Sequence, residues 1–110
     1  MQLLFYKNNE LVNTYHRINC EHHHYEIEDN DVLMKITTKP DLIIIRENKE
    51  YYFKLDIKKN TCIYKLKDYN LTYDIDIIKS SFTEKNDELI IEYELNTDDS
   101  IVRIVIKNEE

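Results

Sequence analysis

The sequence predicts an all-β protein, an antiparallel meander of strands that closes, or nearly closes, into a barrel. Apolar and polar residues alternate with a period of two over most of the chain, and short polar segments rich in Asn and Asp separate the alternating runs. Successive side chains of a strand point to opposite faces, so each run buries one face and exposes the other. The chain of 110 residues contains no glycine. We therefore expect Asn and Asp to supply the left-handed conformations of the turns.

The alternation is weak at the amino terminus and clear further along the chain. Segments 2–7 and 10–17 alternate poorly, whereas Val32, Met34 and Ile36 form an apolar face opposite Leu33, Lys35 and Thr37. The same pattern predicts further strands over 51–57, 62–67, 70–78, 88–95 and 102–107. Strands at this spacing, joined by turns of a few residues, predict a barrel of about 8–10 strands. Closure would remove the free edges that promote aggregation.

Two segments depart from simple alternation. Residues 41–46 are apolar on both faces, which predicts a strand covered on both sides and, as one option, a homodimer formed through this strand. Residues 78–87 are the part of the chain in which we expect a helical turn. The length of the chain predicts one domain over 1–110, since domains cluster near this size.

The composition excludes several classes of function. Phosphate-binding loops, dinucleotide fingerprints and nucleophile elbows need glycine, which is absent. A formal net charge of −7 argues against nonspecific nucleic-acid binding, which needs a basic surface. Apolar runs are far too short to span a bilayer, so we expect no membrane partner and no signal peptide.

The source and compartment can also be predicted from residue usage. Residues with AT-rich codons are abundant and those with GC-rich codons are rare, which indicates an AT-rich genome and favours a bacterial one. Two cysteines, Cys20 and Cys62, are too few for a disulfide framework. A reduced, cytoplasmic protein is therefore expected.

The second half of the chain resembles a known family. The residues that carry the resemblance are Asp41-Leu-Ile-Ile-Ile-Arg, Tyr51-Tyr-Phe-Lys-Leu, Asn70-Leu-Thr-Tyr-Asp-Ile-Asp-Ile-Ile-Lys and Glu88-Leu-Ile-Ile-Glu-Tyr-Glu-Leu. From Leu42 to Ile106 the chain resembles the YwiB-like family, small bacterial proteins of unknown function. The resemblance implies a calycin-like (lipocalin-like) β-barrel, and it implies no activity or catalytic residue.

The densest cluster of candidate ligands is a set of histidines with one cysteine. It consists of His16, Cys20, His22, His23 and His24. On a strand His22 and His24 would share one face, and Cys20 or His16 could supply a third ligand for Zn²⁺. A three-ligand zinc site with an open position would activate water, so this cluster is the one route to an enzyme. A solvated strand face is the favoured alternative.

The acidic residues form a second candidate. If strands 70–78 and 88–95 pair as a hairpin, their outward carboxylates lie side by side, where they could bind a hard cation or act as a catalytic pair. These residues are Asp74, Asp76, Glu88, Glu92 and Glu94. A solvated face neutralised by Lys79, Arg103 and Lys107 is the favoured interpretation.

Three of the nine tyrosines are the candidate ligand-binding residues. Tyr64, Tyr73 and Tyr93 fall on faces that the alternation predicts to point inward. Buried tyrosines need partners for their hydroxyls, so they would line a ligand cavity with a few polar groups. The alternative, which we favour slightly, is that these rings fill the core. Cys62 is expected to be a buried apolar residue, and Ser80 and Ser81 are expected to be loop residues.

Three classes of function follow, and binding is favoured over catalysis. The first is a protein that binds a small apolar or amphipathic ligand in the barrel, which rests on analogy between folds. The second is a protein-interaction module or a homodimer. The third is a metal-dependent enzyme that uses the histidine cluster. No cofactor is predicted.

Overall fold

The computed structural model describes residues 1–97 and 100–108, which form twelve strands in two antiparallel sheets. The all-β prediction is therefore confirmed, although the described residues form twelve strands rather than the predicted 8–10. In chain order the strands are β1 (Gln2–Lys7), β2 (Glu10–Tyr15), β3 (Ile18–Glu21), β4 (His24–Asp29), β5 (Val32–Thr37), β6 (Ile43–Glu47), β7 (Tyr51–Asp56), β8 (Thr61–Leu66), β9 (Leu71–Ile75), β10 (Ile77–Lys85), β11 (Glu88–Leu95) and β12 (Ile101–Lys107).

The chain forms two compact units, and the first combines its two ends. Met1–Ile18 and Ile77–Glu110 make up this unit, whose five-stranded sheet has the order β10-β11-β12-β1-β2. The cross-strand register places Phe5 opposite Ile104 and Ile104 opposite Ile91. These three side chains are at most 8% exposed. A continuous apolar row therefore stabilises the long-range pairing of β1 with β12.

The second unit, Asn19–Asp76, is a simple meander. Its seven strands pair in sequence order from β3 to β9. One cross-strand row runs through Ile36, Ile44, Leu55 and Cys62, and each member is at most 2% exposed. Alternation of apolar and polar residues sets this register, because a slip of one residue would turn the row toward water.

The turns confirm only in part that Asn and Asp replace glycine, because Asn and His have positive φ and no described Asp does. Among the described residues, eight have positive φ and none is glycine: Asn8, Asn9, His22, His23, Asn30, Asn60, Asn70 and Asn86. Asn8-Asn9 connects β1 to β2 and His22-His23 connects β3 to β4, each with positive φ at both turn positions. This is the pattern of the two-residue turns that match strand twist. Asn and His are among the non-glycine residues that tolerate this region.

Three predictions about secondary structure are wrong. Residues 78–87 contain no helical turn, because 77–85 form β10. The predicted strand 70–78 is interrupted at Asp76, and its first part, β9, pairs with β8 rather than with β11. Ser80 and Ser81 lie within β10 rather than in a loop.

Among residues 1–97 and 100–108, neither sheet closes on itself: the first ends in β10 and β2, the second in β3 and β9. The calycin-like barrel therefore stays a prediction. Strand β6, which covers most of 41–46, pairs with β5 and β7, so its backbone edges are not available for a homodimer.

We expect His23→Gly to stabilise the fold. His23 has a φ of 69°, a region that costs L-residues free energy and that glycine enters freely, so the free energy of unfolding should rise by about 0.5–1 kcal/mol. Urea unfolding measures the change. The matched control is His24→Gly, the next residue but within β4, where glycine should lower stability. Equal losses from both variants would contradict the turn geometry.

Candidate functional site

A surface groove in the first unit is a candidate concave site. Its volume is about 510 Å³, within the range of small-molecule sites. Strands β10, β11 and β12 contribute its walls. Its apolar lining residues are Ile78, Tyr93 and Ile101, and its polar ones are Lys79, Ser80, Ser81, Glu92 and Glu94.

A β-bulge in β10 creates this groove. Ile77 lies opposite Leu95 and Lys79 lies opposite Glu94, so Ile78 is an extra residue without an opposite partner in the ladder. A bulge bends its strand and redirects the bulged side chain. Ile78 is 53% exposed, and the residues that follow it in β10 are exposed as well.

The groove has an apolar floor and one apolar rim. Tyr93 of β11 is only 3% exposed and supplies the floor, whereas Ile101, the first residue of β12, is 42% exposed. Ile101 lies opposite Glu94. The register of β11 and β12 therefore places an apolar and a charged residue side by side at the rim of the groove.

The charges near the groove balance each other. Glu94 is the cross-strand neighbour of Lys79, and Glu92 is the neighbour of Arg103. The guanidinium carbon of Arg103 lies 4.6 Å from the centroid of the Tyr6 ring, a cation–π distance. Lys107 likewise lies opposite Glu88. The register places Lys79, Arg103 and Lys107 beside the glutamates of β11, and their neutralisation of these carboxylates stays a prediction.

The acidic face predicted from a hairpin of 70–78 and 88–95 does not form. Asp74 lies on β9 opposite Ile63, and Asp76 follows β9 outside any strand. The glutamates of β11 instead face the residues of β10 and β12. The two aspartates and the three glutamates therefore belong to different units.

The three candidate tyrosines occupy different environments. Tyr93 is buried and lines the groove. Tyr64 lies opposite Tyr73 in the second unit, and its ring stacks on Tyr51 with centroids 5.7 Å apart. Tyr73 lies on the edge strand β9 and is 48% exposed, so the prediction that it points inward is wrong.

The structure does not bring the predicted zinc ligands together. His22 lies in a turn with a φ of 47°, so it does not share a strand face with His24 as predicted. His24 is hydrogen-bonded instead, with its Nδ1 2.9 Å from Oγ1 of Thr37, while Cys20 is exposed on β3. Within the described ranges, no three His, Cys, Asp or Glu side chains are placed to hold a metal ion.

Sequence reasoning missed the groove, although a signal for it exists. Ile77 and Ile78 are adjacent apolar residues that interrupt the alternation between Asp76 and Lys79. Such an interruption inside a strand is typical of a bulge. The register that brings Ile101 beside Glu94 depends on residues far apart in sequence, and no local pattern encodes it.

Comparison with known proteins finds no match for the chain among protein-family models, curated proteins or solved structures. The resemblance to the YwiB-like family therefore stays a prediction. A search of the described residues finds no helix long and apolar enough to cross a membrane.

We expect the two thiols to differ in reactivity. Burial raises the pKa of the Cys62 thiol to about 11, which keeps it protonated at pH 8 and unreactive, because the thiolate is the nucleophile. Cys20 is exposed, so Ellman's reagent should label about one thiol per folded chain at pH 8. Cys20→Ser should abolish this labelling, and denaturant should restore one reactive thiol. Fast labelling of folded Cys20→Ser would contradict the burial of Cys62.

Proposed function

We propose that the protein is a non-catalytic binding protein for a small, uncharged, amphipathic molecule that occupies the groove around Tyr93. The observation that carries the proposal is the groove itself, which joins a volume of about 510 Å³ to an apolar floor and a polar rim. Sites of this size that combine apolar walls with a few polar groups are typical of small-molecule binding.

The lining residues indicate the chemistry of the ligand. An apolar body would contact Ile78 and Ile101, which are 53% and 42% exposed, and this contact gains free energy because it removes apolar area from water. The hydroxyls of Ser80 and Ser81 can each donate and accept a hydrogen bond, so they suit a hydroxyl or amide group on the ligand.

The balance of charge favours an uncharged ligand. Lys79 with Glu94 and Arg103 with Glu92 form neighbouring opposite charges, and a charged ligand would compete with these pairs. The proposal uses Tyr93 alone of the three tyrosines, since Tyr64 and Tyr73 belong to the other unit.

Fold and location belong to the same proposal. We propose that the chain is a bacterial protein of the YwiB-like type, as its resemblance implies, with a calycin-like arrangement of strands that stays open at β10. The meander order of the strands supports this proposal, because calycin barrels are antiparallel meanders. The free thiols of Cys20 and Cys62 support a reducing, cytoplasmic setting.

Substitution of Ile78 tests the site. The uncharged probe N-phenyl-1-naphthylamine should become more fluorescent on binding to the wild-type chain. Ile78→Glu should weaken binding about tenfold or more, because burial of an isoleucine side chain contributes roughly 1.5–3 kcal/mol. The matched control is Leu11→Glu on β2, since Leu11 and Ile78 are both 53% exposed but Leu11 does not line the groove. Equal effects of the two variants would overturn the proposal.

Salt dependence tests the charge of the ligand separately. Binding of the uncharged probe should change less than about twofold between 50 and 500 mM NaCl, because salt screens only charged contacts. Phenethylamine and phenylacetate, which carry opposite charges, should each compete with the probe more weakly than the uncharged analogue 2-phenylethanol. A clear preference for either ion would contradict the uncharged ligand.

A further inference from the structure

Strand β10 presents a long free edge. It pairs with β11 on one side, and in the part of the chain that the structure describes no strand pairs with its other side. Every residue from Ile78 to Lys85 is exposed. Both faces and one edge of this strand are therefore open, which is the arrangement that accepts another strand.

The other edge strands are shorter or irregular. Strands β3 and β9 have four and five residues, against nine in β10. Strand β2 contains a bulge, because Phe5 lies opposite Asn13 while Tyr6 lies opposite Leu11. In β10 the pairing is regular from Lys79 to Lys85, so a further strand could follow it over seven residues.

We propose that the occupant of this edge is β10 of a second copy of the chain, paired antiparallel about a twofold axis at Phe82. This register places Phe82 opposite Phe82, Ser81 opposite Thr83, and Ser80 opposite Glu84. Directly opposite residues lie on the same face of an antiparallel pair, and a twofold axis perpendicular to the sheet preserves that relation. The twofold axis limits the assembly to two copies, and twofold dimers are the commonest closed homo-oligomers.

The strand is complementary to itself in this register. Phe82 is 37% exposed, and two such rings across the axis make an aromatic cross-strand pair. The hydroxyl of Ser80 can donate a hydrogen bond to the carboxylate of Glu84 in the other copy, and Ser81 and Thr83 form a hydroxyl pair. Each of these contacts occurs twice because of the symmetry.

In the proposed pairing, like charges face each other only at the two ends of the ladder and not at its centre. Lys79 of one copy lies opposite Lys85 of the other at the two ends of the ladder. Within its own sheet Lys79 neighbours Glu94 and Lys85 neighbours Glu88, so each ammonium has an opposite charge beside it. The net charge of −7 on each copy adds a longer-range repulsion that salt screens, which favours measurement at moderate ionic strength.

This inference goes beyond the proposed ligand binding and does not depend on it. Phe82 does not line the groove, so substitutions at Phe82 and at Ile78 separate the two proposals.

Light scattering of the full chain tests the dimer. At high concentration in 0.3 M NaCl with reductant, the wild-type mass should approach twice 13.4 kDa, and Phe82→Lys should return it to that of one chain. The matched control is Val12→Lys, which makes the same change at a 59% exposed residue of the opposite edge strand and should leave the dimer intact. A monomeric wild type, or a dimer that persists in Phe82→Lys, overturns the proposal.

Disulfide trapping tests the register. In a Cys20→Ser background, Phe82→Cys places two thiols opposite each other at a Cα separation of about 4.5–5.5 Å, which a disulfide spans. Ser80→Cys is the control, because its two copies would lie about 14 Å apart along the strands. Oxidation should link Phe82→Cys into a covalent dimer much faster than Ser80→Cys. Equal rates, or faster linking through Ser80→Cys, would contradict an axis at Phe82.

Discussion

The fold depends on the ability of a chain without glycine to reverse direction in short turns. Several of these turns place residues in the left-handed region, which Asn and His occupy at eight described positions. Each such residue costs free energy that glycine would not, and the strand ladders on both sides of each turn must offset that cost. The buried rows through Ile104 and Ile44 supply the offsetting burial, so turns and core are linked energetically.

Local patterns predicted the strands well and their partners less well. Alternation placed β5, β11 and β12 within a residue or so of their bounds, because one buried face leaves a period of two in the sequence. Alternation could not predict which strand pairs with β9. Asp76 interrupts the predicted strand 70–78, and the interruption directs its two halves into different sheets, a choice made by long-range packing.

For the candidate site residues too, local patterns predicted some environments correctly, and long-range pairing decided the others. The histidine cluster looked like a ligand set because four histidines lie within nine residues, yet His22 and His23 serve as turn residues. Their spacing was read as that of a strand, whereas their conformation is set by the need to connect β3 to β4 without glycine. Tyr93 was correctly predicted to be buried, because its burial follows from alternation within β11. Tyr73 was not, because exposure at a sheet edge depends on which strand lies outermost.

The bulge at Ile78 connects the groove to the free edge of β10. In a regular strand Ile78 would have an opposite partner in the ladder, whereas the bulge leaves it without one beside the groove. The same bulge ends the regular part of β10 at Lys79, so it sets where a further strand must stop. Ser80 and Ser81 line the groove and also lie in the part of β10 that a second copy would pair with. The two proposals therefore share these residues, whereas Ile78 belongs to the groove alone and Phe82 to the edge alone.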